Sequence, residues 1–112
     1  VGACRMSASE RRKGADAERE VARLARSHGF AAAARNLDQT RDGGADILGI
    51  AGVCLEVKRT ELAHPWNWWA QVTAAASPTE IPCVAFRRSS SPWLAIVELD
   101  ELLALLRHRE RA

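Results

Sequence analysis

The stretch "VCLEVKR" holds the best strand-forming run in the chain, and it carries a carboxylate and an ammonium inside it. Read as a strand from Val53 to Lys58, alternation puts Cys54, Glu56 and Lys58 on one face and Val53, Leu55 and Val57 on the other. Glu56 and Lys58 then point the same way, roughly 6–7 Å apart along the strand. One face must pack on a core while the other holds its charges in water or against partners. Immediately upstream, "GADILGI" sets Asp46 at the head of a second short strand, Asp46 to Gly49, with Ile50, Ala51 and Gly52 in or beside the turn. An antiparallel hairpin of these two strands brings Asp46 beside Glu56 and Lys58. Taken singly, each residue has an ordinary explanation. Asp46 suits a loop that bonds its own backbone, and a Glu–Lys pair suits a solvated face.

The rest of the pattern places these strands in a mixed fold. Apolar residues Ala17, Val21, Leu24 and Ala25 recur at helical spacing within a helix expected from Lys13 to His28, and Gly29 ends it. Phe30 to Arg35 reads as a first strand, weakened by four alanines. The polar loop "NLDQTRDGG" follows, with a turn at Asp42, Gly43 and Gly44. Pro65 opens a second helix reaching about Ala76. Pro82 to Arg87 and Trp93 to Val97 are two further strands, and a helix from about Asp100 to His108 closes the chain, with the leucines at 102, 103, 105 and 106 as its packing surface. The order α-β-β-β-α-β-β-α is that of an α/β protein with a central mixed sheet flanked by helices. The expected organisation is a flexible basic arm over 1–12, one domain over 13–109 and a short tail over 110–112.

A chain of 112 residues, 47% hydrophobic, has room for one modest core. Its three cysteines are odd in number and fit no zinc spacing, so Cys54 and Cys83 read as core thiols of a reducing, cytoplasmic compartment. No apolar run is long enough to span a membrane. The formal charge is only +2, but residues 1–41 hold nine Arg or Lys against five Asp or Glu, a surface that attracts phosphates. Arg11, Arg12 and Lys13 are the densest basic run, and Arg59, Arg87 and Arg88 sit at strand ends. All six are candidate phosphate contacts that position DNA rather than read its bases. They are equally at home on a solvated arm or face.

The first helix supplies a third carboxylate. With Val21 at the centre of the apolar stripe, Glu18 lies about 60° away and Glu20 about 100° away, so Glu18 is the acid that faces the sheet. Burying a carboxylate is costly unless it is paired or binds a metal. Glu18, Asp46 and Glu56 on one divalent ion would form an all-oxygen site suited to Mg2+, with Mn2+ as a substitute. Such a site polarises a phosphoryl oxygen and activates water, and Lys58 would stabilise the developing negative charge. Hydrolysis of a nucleic-acid backbone fits this set. Nucleotidyl transfer would use the same acids, but the chain has no glycine-rich phosphate cradle. His28, His64 and His108 are scattered and read as surface or packing residues. The tryptophans of "HPWNWWAQ" suit core packing, a dimer interface or stacking on DNA. Trp66 and Trp69 share a helical face, and Trp68 points elsewhere.

Taken together, "KGADAEREVARLARSHGF" and "GADILGIAGVCLEVKR" resemble the archaeal-type Holliday-junction resolvases, within the restriction-endonuclease-like superfamily marked by an Asp…Glu-x-Lys signature. Small phage or mobile-element nucleases of that superfamily are similar to the same degree. The resemblance implies a restriction-endonuclease-like core, Mg2+ as cofactor and branched DNA as substrate. It also implies a homodimer that makes paired nicks at a four-way junction. It assigns Glu18 as the helix carboxylate, Asp46 and Glu56 as metal-binding acids, and Lys58 as the signature lysine. Gln71 matches a glutamine that organises the site. Ala45 stands where the family often has proline before its aspartate, and the loop before Asp46 lacks the resolvases' Ser-Gly element. General or sequence-directed nicking and noncatalytic DNA binding or assembly are the alternative functions.

Overall fold

The computed structural model describes residues 7–38 and 44–111. The order is α1 (Ala8–Ser27), β1 (Ala34–Arg35), β2 (Ile47–Leu48), β3 (Val53–Arg59), α2 (Pro65–Ala75), β4 (Ile81–Arg87), β5 (Leu94–Ile96) and α3 (Leu99–Arg111). The five strands form one sheet in sequential order. β3 and β4 pair in parallel across the α2 crossover, and the other neighbours pair antiparallel. The expected α/β class, mixed sheet and element order all hold.

Alternation along β3 separates two small cores. Leu55 turns to α1, where it meets Val21, Ala22, Ala33, Ile47 and Ala85. Cys54 turns to α2, where it meets Ala45, Trp68, Val72 and Val84. Trp68 lies tilted against Phe86 at 5.4 Å and edge-on to His64 at 6.4 Å. Of the tryptophans in this helix, Trp68 is therefore a core residue, while Trp66 is 82% exposed. Among the described residues, no helix is long and apolar enough to cross a membrane.

Several boundaries differ from expectation, some of them for clear local reasons. α1 begins at Ala8 rather than Lys13, because Ser7 and Glu10 form a capping box: Ser7 Oγ accepts from the Glu10 amide at 3.1 Å. Residues 8–12 of the expected arm are thus helix, and Arg11, Arg12 and Lys13 ride on it; the arm's first six residues lie outside the described part. The first strand shrinks to Ala34–Arg35, since a turn closes over Phe30 to Ala33, whose amide donates to the Phe30 carbonyl at 3.0 Å. The turn expected at Asp42, Gly43 and Gly44 falls largely outside the described residues; Gly44 itself has φ +85°. α3 runs past His108 to Arg111, and it buries none of its residues. Its leucines, expected as a packing surface, join neither buried cluster among the described residues; α1 and α2 supply the helix residues of both.

Gly49 shows how tightly the β2–β3 turn is held. It has φ +89°, and a Cβ there would stand 2.1 Å from the Ala32 carbonyl oxygen. Gly14, inside α1, has open space around its Cα. Gly49→Ala is expected to destabilise by about 2 kcal/mol or more through strain and clash. Gly14→Ala is expected to stabilise by up to about 1 kcal/mol through helix propensity. Urea unfolding of both variants checks this, and equal effects would contradict the close approach.

Candidate functional site

The site forms where β2 begins and β3 passes it. The backbone ladder carries Asp46 to β3, its amide donating to the Leu55 carbonyl at 2.9 Å. β2 is too short to satisfy the next amide on β3. The Asp46 side chain does so instead, with Oδ2 accepting from the Val57 amide at 2.7 Å. That bond fixes the aspartate beside Glu56, and the two are 6% and 3% exposed. Glu56 is pushed up to about 8, first by burial, then by a hydrogen bond to Asp46 and by the negative charge of Asp46; Lys58 opposes this. A proton on Glu56 therefore stands between two carboxyl groups that are buried side by side.

Lys58, two residues along the same face, donates from Nζ to Gln71 Oε1 on α2 at 2.6 Å. This fixes the head of the lysine and uses one of its three donors. The expected juxtaposition of Asp46, Glu56, Lys58 and Gln71 is present. Glu18 approaches from the α1 side, but its Oε1 is taken by Arg35 Nε at 3.0 Å. Its carboxyl is also raised by burial, with the Arg35 bond lowering it and the Asp46 charge raising it. Glu18 thus feels Asp46 electrostatically without joining the pair. Among the described residues, no three His, Cys, Asp or Glu side chains are gathered closely enough to hold a metal ion. The three-carboxylate set is not assembled in this geometry.

Two carboxylates still fit Mg2+, which keeps several waters and is commonly bound by one or two carboxylates plus substrate phosphates. The donor set is all oxygen, and burial with the neighbouring Asp46 charge outweighs Lys58 in holding the proton on Glu56. Asp46 and Glu56 are the residues that would hold the ion.

The basic candidates divide. Arg12 and Lys13 from α1 meet Arg59 and Arg87 from the ends of β3 and β4 around an open groove of about 330 Å³. Arg11 and Arg88 do not line it. Arg59 is steadied by Ser89 at 3.1 Å and by Glu61 at 3.4 Å. Arg87 stacks over Trp93 at 5.5 Å and reaches Glu20 at 3.6 Å. The residues missed by sequence reasoning are Arg35, which holds Glu18, and Arg19, Arg23 and Arg26, which with Arg35 line a second groove of about 370 Å³. The signal for the three helix arginines was their four- and three-residue spacing, which sets them on one side of α1. Nothing in the sequence announced Arg35, whose place depends on its register opposite Ile47.

Compared with known proteins, the chain matches no family model, no curated protein and no solved structure at a significant level.

The raised Glu56 carboxyl fixes a pH dependence. Between 4.5 and about 8 the folded chain holds a proton that the unfolded chain has lost. Stability should therefore fall as pH rises through that window, by at most about 1.4 kcal/mol per pH unit for the one proton. Glu56→Gln keeps the shape and removes the charge, so it should flatten the slope and be the more stable protein at pH 8. Thermal unfolding in chelator from pH 5 to 8 tests this, and identical slopes in both proteins would contradict it.

Proposed function

We propose that this chain is a Mg2+-dependent DNA endonuclease that hydrolyses phosphodiester bonds in branched DNA. The observation that carries the reading is the buried Asp46–Glu56 pair beside a lysine held in place by Gln71. The chemistry that a bound Mg2+ or Mn2+ supplies is charge neutralisation at the phosphodiester and activation of water. Asp46 and Glu56 hold the charge that such an ion needs. The Val57 amide fixes the orientation of Asp46. Lys58 keeps two N–H donors beyond the one given to Gln71, and they stabilise negative charge developing on the phosphoryl oxygens. Arg12, Lys13, Arg59 and Arg87 bind phosphates flanking the scissile one and position the strand. Glu18 adds negative charge near the pair from the α1 side. Support for branched DNA as the substrate comes from the likeness of residues 13–59 to the archaeal-type junction resolvases.

Cleavage of a labelled four-way junction beside matched linear duplex, in Mg2+, in Mn2+ and in chelator, tests the reading. Metal-dependent nicks in the junction are expected. Lys58→Ala should retain fold and DNA binding while cleavage falls by about 100-fold or more. Equal cutting of junction and duplex would make the chain a general nickase. Tight binding with no cutting in either metal would make it a noncatalytic DNA-binding module. Undiminished cleavage by Lys58→Ala would remove the role given to that lysine.

A further inference from the structure

α3 is a 13-residue helix with no buried residue, although it carries five leucines between 40% and 65% exposed. Leu99, Leu102, Leu103 and Leu106 fall within an arc of roughly 100° at helical geometry, which is the stripe a helix normally packs away. In sequence the stripe begins one residue after an apolar pocket of about 410 Å³, lined by Pro65, Trp66, Trp69, Ile96, Val97 and Glu98. Solvated singly, such residues need no explanation, but a contiguous apolar surface of this kind marks an interface. A stable interface needs roughly 800 Å² from each partner. Five part-exposed leucines on a helix roughly 20 Å long, with an exposed tryptophan at its base, are of that order.

The charges on the helix say which partner fits. Its first turn is acidic, with Asp100 and Glu101 after Glu98. Its last turns are basic, with Arg107, Arg109 and Arg111. This polarity also complements the helix dipole, but the dipole does not account for the leucines. Asp100 and Arg107 lie about 20° apart around the helix, on one flank of the leucine stripe. A second copy running antiparallel, about a two-fold axis between Leu103 and Ala104, sets each Asp100 beside the Arg107 of the other copy. A parallel copy would set acid against acid and base against base. Arg107 is free to make that contact, since its bond to Glu110 is an exposed pair at 3.4 Å of the weak kind that rearranges.

We propose that two copies of this chain pair through α3, antiparallel, with the leucine stripes facing each other and Asp100 of each copy against Arg107 of the other. The surface is self-complementary, as a two-fold interface must be. The pairing stands on α3 alone and is independent of whether the chain cuts DNA.

Sedimentation velocity across micromolar concentrations tests the pairing, with far-ultraviolet circular dichroism as the check on folding. The wild-type chain should sediment as a dimer. Leu103→Glu, at a position 53% exposed in its own chain, should be a folded monomer. Asp100→Arg and Arg107→Asp should each weaken dimerisation at least tenfold, because each sets like charges together at both contacts. Mixed in equal amounts, those two variants should form a heterodimer, since opposite charges then meet at both contacts. A monomeric wild-type chain would overturn the proposal, as would a Leu103→Glu protein that still dimerises. A mixture that stays monomeric would overturn the antiparallel arrangement.

Discussion

Asp46 and Glu56 are buried side by side, and one backbone amide decides that they are. The Val57 amide has no strand partner once β2 ends, and the Asp46 carboxylate takes its place at 2.7 Å. That bond pins the aspartate against β3 next to Glu56, where the burial of both leaves little water to screen their repulsion. Removing two carboxylates from water costs several kcal/mol each unless charge or protons compensate. In the free protein a proton on Glu56 compensates; a divalent cation would do so more fully. On the proposed reading, the arrangement is a poor stabiliser of the fold and a receiver of positive charge. That contrast separates it from an ordinary structural ion pair.

The surrounding architecture keeps the pair in place and gives it neighbours. The parallel β3–β4 pair aligns strand ends, so Lys58, Arg59 and Arg87 emerge at one end of the sheet. α2 covers one face and supplies Gln71; α1 covers the other and brings Glu18, Arg12 and Lys13. The two cores are small and rich in alanine, and they hold these helices close to the sheet. Arg35 restrains Glu18 in the same region, so the third carboxylate is near the pair but turned to a different partner.

Much of this was legible in the sequence because it depends on local periodicity. Strand alternation placed Cys54, Glu56 and Lys58 on one face. The helical wheel picked Glu18 over Glu20 as the acid facing the sheet. The order of elements followed from turn residues and apolar runs. What was not legible depends on long-range register or on competition between partners. Arg35 holds Glu18 because β1 lies opposite β2, and no local pattern encodes that pairing. The leucines of α3 show a good amphipathic stripe, yet periodicity does not say which chain covers it. The helix start at Ala8 was readable from Ser7 and Glu10, but the neighbouring basic run made the segment look like an arm.

Calorimetric titration of Mn2+ and Mg2+ into the protein at pH 7, in two buffers of different ionisation enthalpy, tests the central claim most directly. If the buried pair is a cation site guarded by a proton, the wild-type chain should release about one proton for each ion bound. Glu56→Gln should lose that release together with most of the affinity. Binding without proton release, binding unchanged in Glu56→Gln, or no binding of either ion would contradict the account.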